Sequence, residues 1–389
     1  MKEVYLDNSA TTALCEEAKR AMISAMETYG NPSSLHYEGL KANKILSEAR
    51  GKILSSLGLR NAKDENLIFT SCGTEADNLA VLGSAYAKVR RAANRIITTD
   101  SEHPAIENAM RKLENDGFEV VRLSTHGGVL DFDKFKNVMD ESVLLVSIMM
   151  VNNETGACYD VKKFFKYAKS VKPDVITHCD AVQGFMKLKF SPKEIYADLL
   201  TVSAHKIHGP KGVGALYVNS DILRKKQLVP IIQGGGQERL FRSGTENIIG
   251  IAGFGAAAES SASKLSENIE KMNSLRKYAL QRLSSLNVKF NIPKGDTAPH
   301  ILNITLPSIK SETMLHHLSA NGICVSSGSA CSSHSHHISA SLHGFGLSDF
   351  DADCSLRISL SEYNTRDDID CLEKSLNTGI ISLVKINRR

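Results

Sequence analysis

The chain has 389 residues, 42% hydrophobic and 23% charged, the balance of a globular enzyme with more than one core and not of a disordered or fibrous chain. Its 47 basic and 43 acidic residues leave a net charge of +4 spread without long runs, so nothing argues for nucleic acid as a partner. The opening M-K-E-V-Y-L-D-N lacks an apolar stretch, no window nears the roughly eighteen apolar residues of a membrane span, and the eight cysteines form no C-x-x-C pair, so reduced thiols in a cytoplasm are expected.

In chain order, V-Y-L-D-N reads as extended, and the hydroxyls of S-A-T-T are placed to cap a helix over Glu16–Thr28. G-N-P-S-S-L-H (30–36) is a loop by composition. An amphipathic helix is predicted over Tyr37–Leu57, with Leu40, Asn43, Ile45, Leu46, Ala49 and Ile53 on one face. Asn66–Phe69 reads as a strand, running into a small-residue turn and a helix from about Thr74. Further strands are predicted at Arg95–Thr99, Glu119–Leu123, Leu144–Met149, Val175–His178, Leu199–Val202 and Ala215–Val218, with helices such as Pro104–Asn115 and Val161–Val171 between them. Short apolar runs alternating with helices predict an α/β fold with a buried, mostly parallel seven-stranded sheet.

Beyond Asn247 the pattern changes. One long helix over Ile248–Leu286 is expected, followed by strands at Val288–Ile292, Ile301–Leu306, Cys324–Ser326 and Arg357–Ser359, and helices at Glu312–Asn321 and Thr365–Leu383. These fit a smaller α+β domain. The expected division is a large domain over residues 14–256 and a small one formed by 1–13 and 257–389.

Ligands gather beyond the carboxyl ends of strands in open α/β sheets, so the residues following each strand form a search list. After the strand at 66–69 come Gly73 and Thr74 at a helix start, where free N–H groups and the helix dipole favour a phosphate. His103 follows the strand at 95–99, Asn153 follows 144–149, and Asp180 and Gln183 follow 175–178. Ser203, His205 and Lys206 follow 199–202, in a stiff glycine-rich turn. A lysine held there is economical if its amine is used covalently on a carbonyl cofactor. Taken singly, each residue has a plainer reading: Thr74 and Asp180 as helix caps, His103 as a surface or helix-start residue, Lys206 as a solvated loop lysine. Taken together, they supply a phosphate cradle, an imidazole, a buried acid and a lysine, the parts a pyridoxal phosphate site needs.

The motifs Y-L-D-N-S-A-T-T, G-N-P-S-S-L-H, F-T-S-C-G-T-E-A-D-N, S-E-H-P-A, V-N-N-E-T-G, D-A-V-Q, S-A-H-K-I-H-G-P-K-G-V-G, G-G-G-Q-E-x-x-x-R-S-G-T-E-N, S-S-G-S-A-C-S-S and S-L-R-I-S-L occur in that order. The chain thereby resembles the long-loop cysteine desulfurases, class V aminotransferase-like enzymes of the pyridoxal phosphate fold type I. The resemblance implies that Lys206 holds pyridoxal 5'-phosphate, Asp180 pairs with its ring nitrogen, and Gln183 bonds its hydroxyl. It implies that His103 stacks on the ring and moves protons, and that Gly73, Thr74, Ser203 and His205 bind the phosphate. Thr245 would reach the phosphate of the other subunit of a homodimer, Asn153 and Arg357 would hold L-cysteine, and Cys331 would take its sulfur as a persulfide for an iron–sulfur scaffold or thiolation protein.

Cys331 lies in a small, polar stretch, where an exposed thiol can act as a thiolate. Its spacing to His334, His336 and His337 would also suit a metal or cluster-holding scaffold. A selenocysteine lyase or an aminotransferase on the same fold are the alternatives among enzymes. Two positions depart from the family pattern: Cys72 stands before the phosphate-loop Gly73, and Ser361-Glu362 stand where a glycine and a basic or polar residue are usual. The second departure bears on the shape of the substrate pocket.

Overall fold

Among the described residues the chain forms thirteen short strands. In chain order they are β1 (Val4–Tyr5), β2 (Leu67–Thr70), β3 (Arg95–Thr99), β4 (Glu119–Leu123), β5 (Val143–Met149), β6 (Ile176–Asp180), β7 (Leu199–Ser203), β8 (Gly214–Val218), β9 (Lys289–Phe290), β10 (Ile301–Thr305), β11 (Ile323–Cys324), β12 (Ser326–Ser327) and β13 (Ser355–Ser359). The computed structural model describes residues 3–59, 61–87, 93–327 and 339–387, so Cys331, His334, His336 and His337 lie outside the described residues.

Seven strands form one sheet in the order β2-β8-β7-β6-β5-β3-β4, as the alternation of strands and helices predicts. All neighbouring pairs are parallel except those made by β8, which runs antiparallel to both β2 and β7. The reversal follows from the connection. Residues 204–213 turn straight back from β7, whereas a parallel partner would need a crossover long enough for a helix. Successive residues of the central strands face opposite sides. Leu67, Phe69, Val146, Leu200 and Val202 enter one hydrophobic cluster, and Ile68, Leu145, Leu199 and Leu216 enter the other. The helices Gly73–Ala87 and Pro104–Asn115 cover the second face. Val161–Val171, Tyr37–Ser56 and Ile248–Ser263 cover the first.

Three expectations are corrected here. The run from Ile248 forms two helices, Ile248–Ser263 and Leu265–Leu283, broken at Lys264 (φ −120°, ψ 15°). The first is apolar nearly all round and is sandwiched by the helices Glu16–Met26 and Tyr37–Ser56. Gly255 permits this, since a Cβ there would lie 2.7 Å from the Cα of Ala49. The second is amphipathic and packs Met272, Leu275, Ala279 and Leu283 inward, so the chain must change direction where the packing partner changes. In the helix Tyr37–Ser56 the buried face runs through Gly39, Ala42, Leu46, Ala49 and Ile53, while Leu40 and Asn43 are exposed. The stretch 324–326 is divided between two sheets, β11 pairing with β1 and β12 with β13.

The remaining strands build a four-stranded antiparallel sheet, β12-β13-β10-β9, and the parallel pair β1-β11. Val4 and Leu6 join residues between Leu275 and Leu376 in a separate hydrophobic cluster. The N-terminal segment then crosses to the large sheet, where Thr12 N–H donates to the carbonyl of His205.

Candidate active site

The carboxyl ends of the parallel strands converge on one cavity of about 330 Å³. Gly73, Thr74, His103, Asn153, Asp180, Gln183, Ser203, His205, Lys206 and Arg357 all line it. Each is delivered by the local structure the sequence dictates. Gly73 opens the helix after β2, His103 caps the helix after β3, Asp180 ends β6 and Ser203 ends β7. Lys206 ends the single helical turn that follows β7.

Lys206 Nζ donates to the carbonyls of Ser9 (2.5 Å) and Ala10 (2.8 Å), so the N-terminal segment holds the amine at the cavity edge. Asp180 is buried, and its Oδ1 accepts from the N–H of Val182 at 2.9 Å. Burial pushes its carboxyl up to about 6, with the N–H of Val182 and the charge of Lys206 opposing the rise. His103 accepts from the N–H of Ala105 through Nδ1 at 3.2 Å. Burial, then the Lys206 charge, lower its ring to about 4, so it is neutral at neutral pH. The same two causes, with Lys211, lower His205 to about 4. Gln183 donates to the carbonyl of Ser9 (2.9 Å), and its Oε1 lies 3.3 Å from Nε2 of the buried His300. Arg357 donates to the carbonyl of Asn153 (3.1 Å) and to Asp7 Oδ1 (2.8 Å), while its buried Nε has no partner.

Two further acids line the cavity that the strand-end search passed over, Asp7 and Asp77. Asp77 lies four residues after Gly73 on the same helix, hence on the face that Gly73 presents, and that spacing could have disclosed it. It is buried, with Oδ1 lacking a hydrogen-bond partner, and burial together with the charge of Asp180 raises its carboxyl well above the usual range. Behind it His178 contacts Ser147 Oγ (2.9 Å) and Thr201 Oγ1 (3.1 Å). Asp7 belongs to Y-L-D-N, where only the contact with Arg357 marks it out.

Thr245 is not brought to this cavity. It lines a smaller one, of about 90 Å³, with Gly212, Val213 and Arg242. Its loop begins with three successive left-handed residues, Glu238 (φ 43°), Arg239 (φ 56°) and Leu240 (φ 72°). A buried fork holds that turn, both Glu238 oxygens accepting from Arg50 at 2.8 Å and one also from the N–H of Phe69 at 2.8 Å. Glu362, at the position that departs from the family pattern, is not among the residues lining the 330 Å³ cavity.

The residues present fit pyridoxal phosphate. Ser203 Oγ is buried with no hydrogen-bond partner, beside a helix N-terminus where an added Cβ on Gly73 would lie 3.1 Å from Val182 Cγ2 and 3.5 Å from Ser203 Cβ. A hydroxyl and free N–H groups beside a glycine whose Cβ would crowd Val182 suit a phosphate. The same cavity is lined by Asp180 and Lys206, the charge-bearing pair such a ring requires.

The aminotransferase class-V family model matches residues 4–372. The chain is 38% identical over 373 residues to the cysteine desulfurase IscS of Dictyoglomus turgidum, covering 95% of this chain and 92% of that one. Among solved structures, a NifS-like protein superposes with a TM-score of 0.90 at 35% identity, covering 98% of this chain and 100% of the other. SspA in complex with cysteine superposes with a TM-score of 0.79 at 30% identity, covering 94% and 100%. A strand-end cavity fitted for pyridoxal phosphate and a match along nearly the whole length agree: the chain belongs to the class-V aminotransferase family.

Proposed function

We propose that the chain is a pyridoxal phosphate-dependent cysteine desulfurase that converts L-cysteine to L-alanine and a persulfide on Cys331. The observation that carries this reading is the gathering of Lys206, Asp180, His103 and the Gly73–Thr74 helix start around one cavity with Arg357 and Asn153. The relatives named cysteine desulfurase support the sulfur chemistry.

Lys206 would hold the cofactor, Asp180 would face its ring nitrogen, Gln183 its hydroxyl, and Gly73, Thr74, Ser203 and His205 its phosphate. When bound, the cofactor supplies an electron sink for charge developing at the substrate Cα. Arg357 and Asn153 orient the substrate, with the guanidinium on its carboxylate. Lys206, released from its carbonyl contacts, takes the Cα proton, and the neutral His103 is poised to move a proton to and from the reacting groups. The Cys331 thiolate then bonds to the substrate sulfur. The electrons of the broken Cβ–S bond stay with carbon, which gains a proton and becomes the methyl group of alanine. The persulfide passes to an acceptor, an iron–sulfur scaffold or a thiolation protein.

The same reading makes residues 14–256 a large cofactor-binding domain, with 1–13 and 257–389 a small domain. The separate cluster joining Val4 and Leu6 to residues 275–376 supports that division. It also pairs two subunits, with Thr245 reaching the partner's phosphate. The exposed Ile23, Met26, Tyr29, Leu35, Tyr37 and Leu40 give such a pair apolar surface to bury. No helix among the described residues is long and apolar enough to cross a membrane, and the seven described cysteines are free thiols, which supports a cytoplasmic setting.

The test is Cys331→Ala. Alanine formation from L-cysteine, with no 2-oxo acid added, should fall at least about a hundredfold while borohydride still fixes the cofactor mass on the Lys206 peptide. Alanine formed at the full rate by the variant would refute the persulfide step, and a requirement for a 2-oxo acid would indicate transamination instead.

A further inference from the structure

Glu362 turns its carboxylate onto the turn that carries Lys206. His208, two residues beyond Lys206, is buried and holds a left-handed backbone (φ 65°). That conformation is uncommon outside glycine, although histidine takes it more readily than most residues, and here hydrogen bonds hold it. The N–H of His208 donates to Thr12 Oγ1 at 2.7 Å, and its carbonyl accepts from Cys15 N at 3.0 Å. Its ring lies 2.9 Å from the carbonyl of Ala13 through Nδ1 and 3.3 Å from Glu362 Oε2 through Nε2. Both ring nitrogens thus face acceptor oxygens, one of the Ala13 carbonyl and one of the Glu362 carboxylate. Tyr363 closes the ring's side edge-on, with centroids 4.7 Å apart.

The other contacts of Glu362 reach further. Its Oε1 accepts from Asn268 Nδ2 at 3.3 Å, on the helix Leu265–Leu283, and Oε2 lies 3.7 Å from Lys187 Nζ. Burial works against the ionised carboxyl, but the His208 hydrogen bond and the Lys187 charge hold it well below the usual range. Glu362 itself leaves β13 five residues after Arg357, and the intervening Leu360 is pinned by its N–H to the carbonyl of His300 at 2.7 Å. One carboxylate therefore ties together the Lys206 turn, the exit of the Arg357 strand and the long helix.

We propose that Glu362 is a positioning residue for the reaction, holding the Lys206 turn, through His208, in register with the strand that carries Arg357. The inference rests on the desulfurase reading for what the register serves. One substrate must meet both the amine and the guanidinium, and a misplacement near 1 Å lowers turnover strongly.

The test compares Glu362→Gln, His208→Asn and the double variant as holoenzymes, Asn being a residue that tolerates left-handed backbone. Each single variant should lower kcat for L-cysteine about tenfold and change KM less than about threefold, and the double variant should lose about the same tenfold and not the hundredfold product. Backbone hydrogen exchange across residues 203–210 should quicken about tenfold in all three. The proposal is overturned if the double variant shows the product of the two effects. It is equally overturned if Glu362→Gln lowers only the melting temperature, with kcat and exchange within about twofold of wild type. If Glu362→Gln does not fold, His208→Asn reads the same contact from its other side by the same measures. A wild-type enzyme that makes no alanine from cysteine would sink the desulfurase reading, and the exchange measurements would still decide whether the contact holds the turn.

Discussion

Glu102, the residue before His103, offers a test of how the core beneath the cavity handles charge. It is buried, with Oε1 accepting from Thr99 Oγ1 (2.8 Å) and from the N–H of Met149 (2.9 Å), while Oε2 has no partner. Burial pushes its carboxyl from 4.5 up to about 8; the Met149 N–H opposes this and the charge of Asp180 adds to it. A folded-state value above the unfolded one means that the folded chain keeps a proton the unfolded chain has released. The resulting stabilisation is complete below the unfolded value and is lost as pH rises towards the folded one. At about 1.36 kcal/mol per unit, raising the pH from about 5.5 to about 7.5 removes about 3 kcal/mol of stability through this group. Glutamine has nearly the same shape and cannot ionise. The stability of Glu102→Gln relative to wild type should therefore move in the variant's favour by about 3 kcal/mol over that interval. Urea unfolding of both proteins at the two pH values measures it. A difference that stays constant within about 0.5 kcal/mol would refute the reasoning and mean that Glu102 ionises as freely when folded as when unfolded.

Two further substitutions follow from atoms already described. Ser203→Ala removes a buried hydroxyl that has no partner in the ligand-free chain, so the apo-protein should gain up to about 1 kcal/mol in urea unfolding while its dissociation constant for pyridoxal phosphate rises about tenfold. Unchanged cofactor affinity would remove Ser203 from the phosphate cradle. Leu240→Gly relieves a left-handed backbone (φ 72°) at an exposed side chain and should stabilise the fold by up to about 1 kcal/mol, read as a higher melting temperature. A lower one would show that the leucine side chain contributes more than its backbone strain.

The parts legible in the sequence are those fixed by local chemistry. Short apolar runs alternating with helices predict the seven-stranded sheet, because a strand buried on both faces must be apolar throughout. The ends of those strands lead to Gly73, His103, Asp180, Ser203 and Lys206, because strand ends are where such a sheet opens. The helix break at Lys264 is not legible, since S-A-S-K-L-S-E-N carries neither glycine nor proline and only the exchange of packing partners bends the chain there. Nor is the exposure of Leu40 legible, because the periodicity of one helix does not say which neighbour covers which stripe. Asp7 reaches Arg357 across 350 positions of sequence, a contact with no local signal at all.

The sequence by itself determined which chemical groups the chain carries and in what order, and the order of its motifs was enough to imply a lysine-held cofactor. Tertiary structure alone decided what surrounds each group. It buried Asp180, Asp77 and Glu102, raising all three carboxyls, with the charge of Asp180 adding to the rise of the other two, held the Lys206 amine on the Ser9 and Ala10 carbonyls, and turned Glu362 onto His208. The reason is that burial and Coulomb interaction act through space and not along the chain. A residue's chemical type is written in the sequence, whereas its charge state and its reach are set by neighbours that only folding supplies.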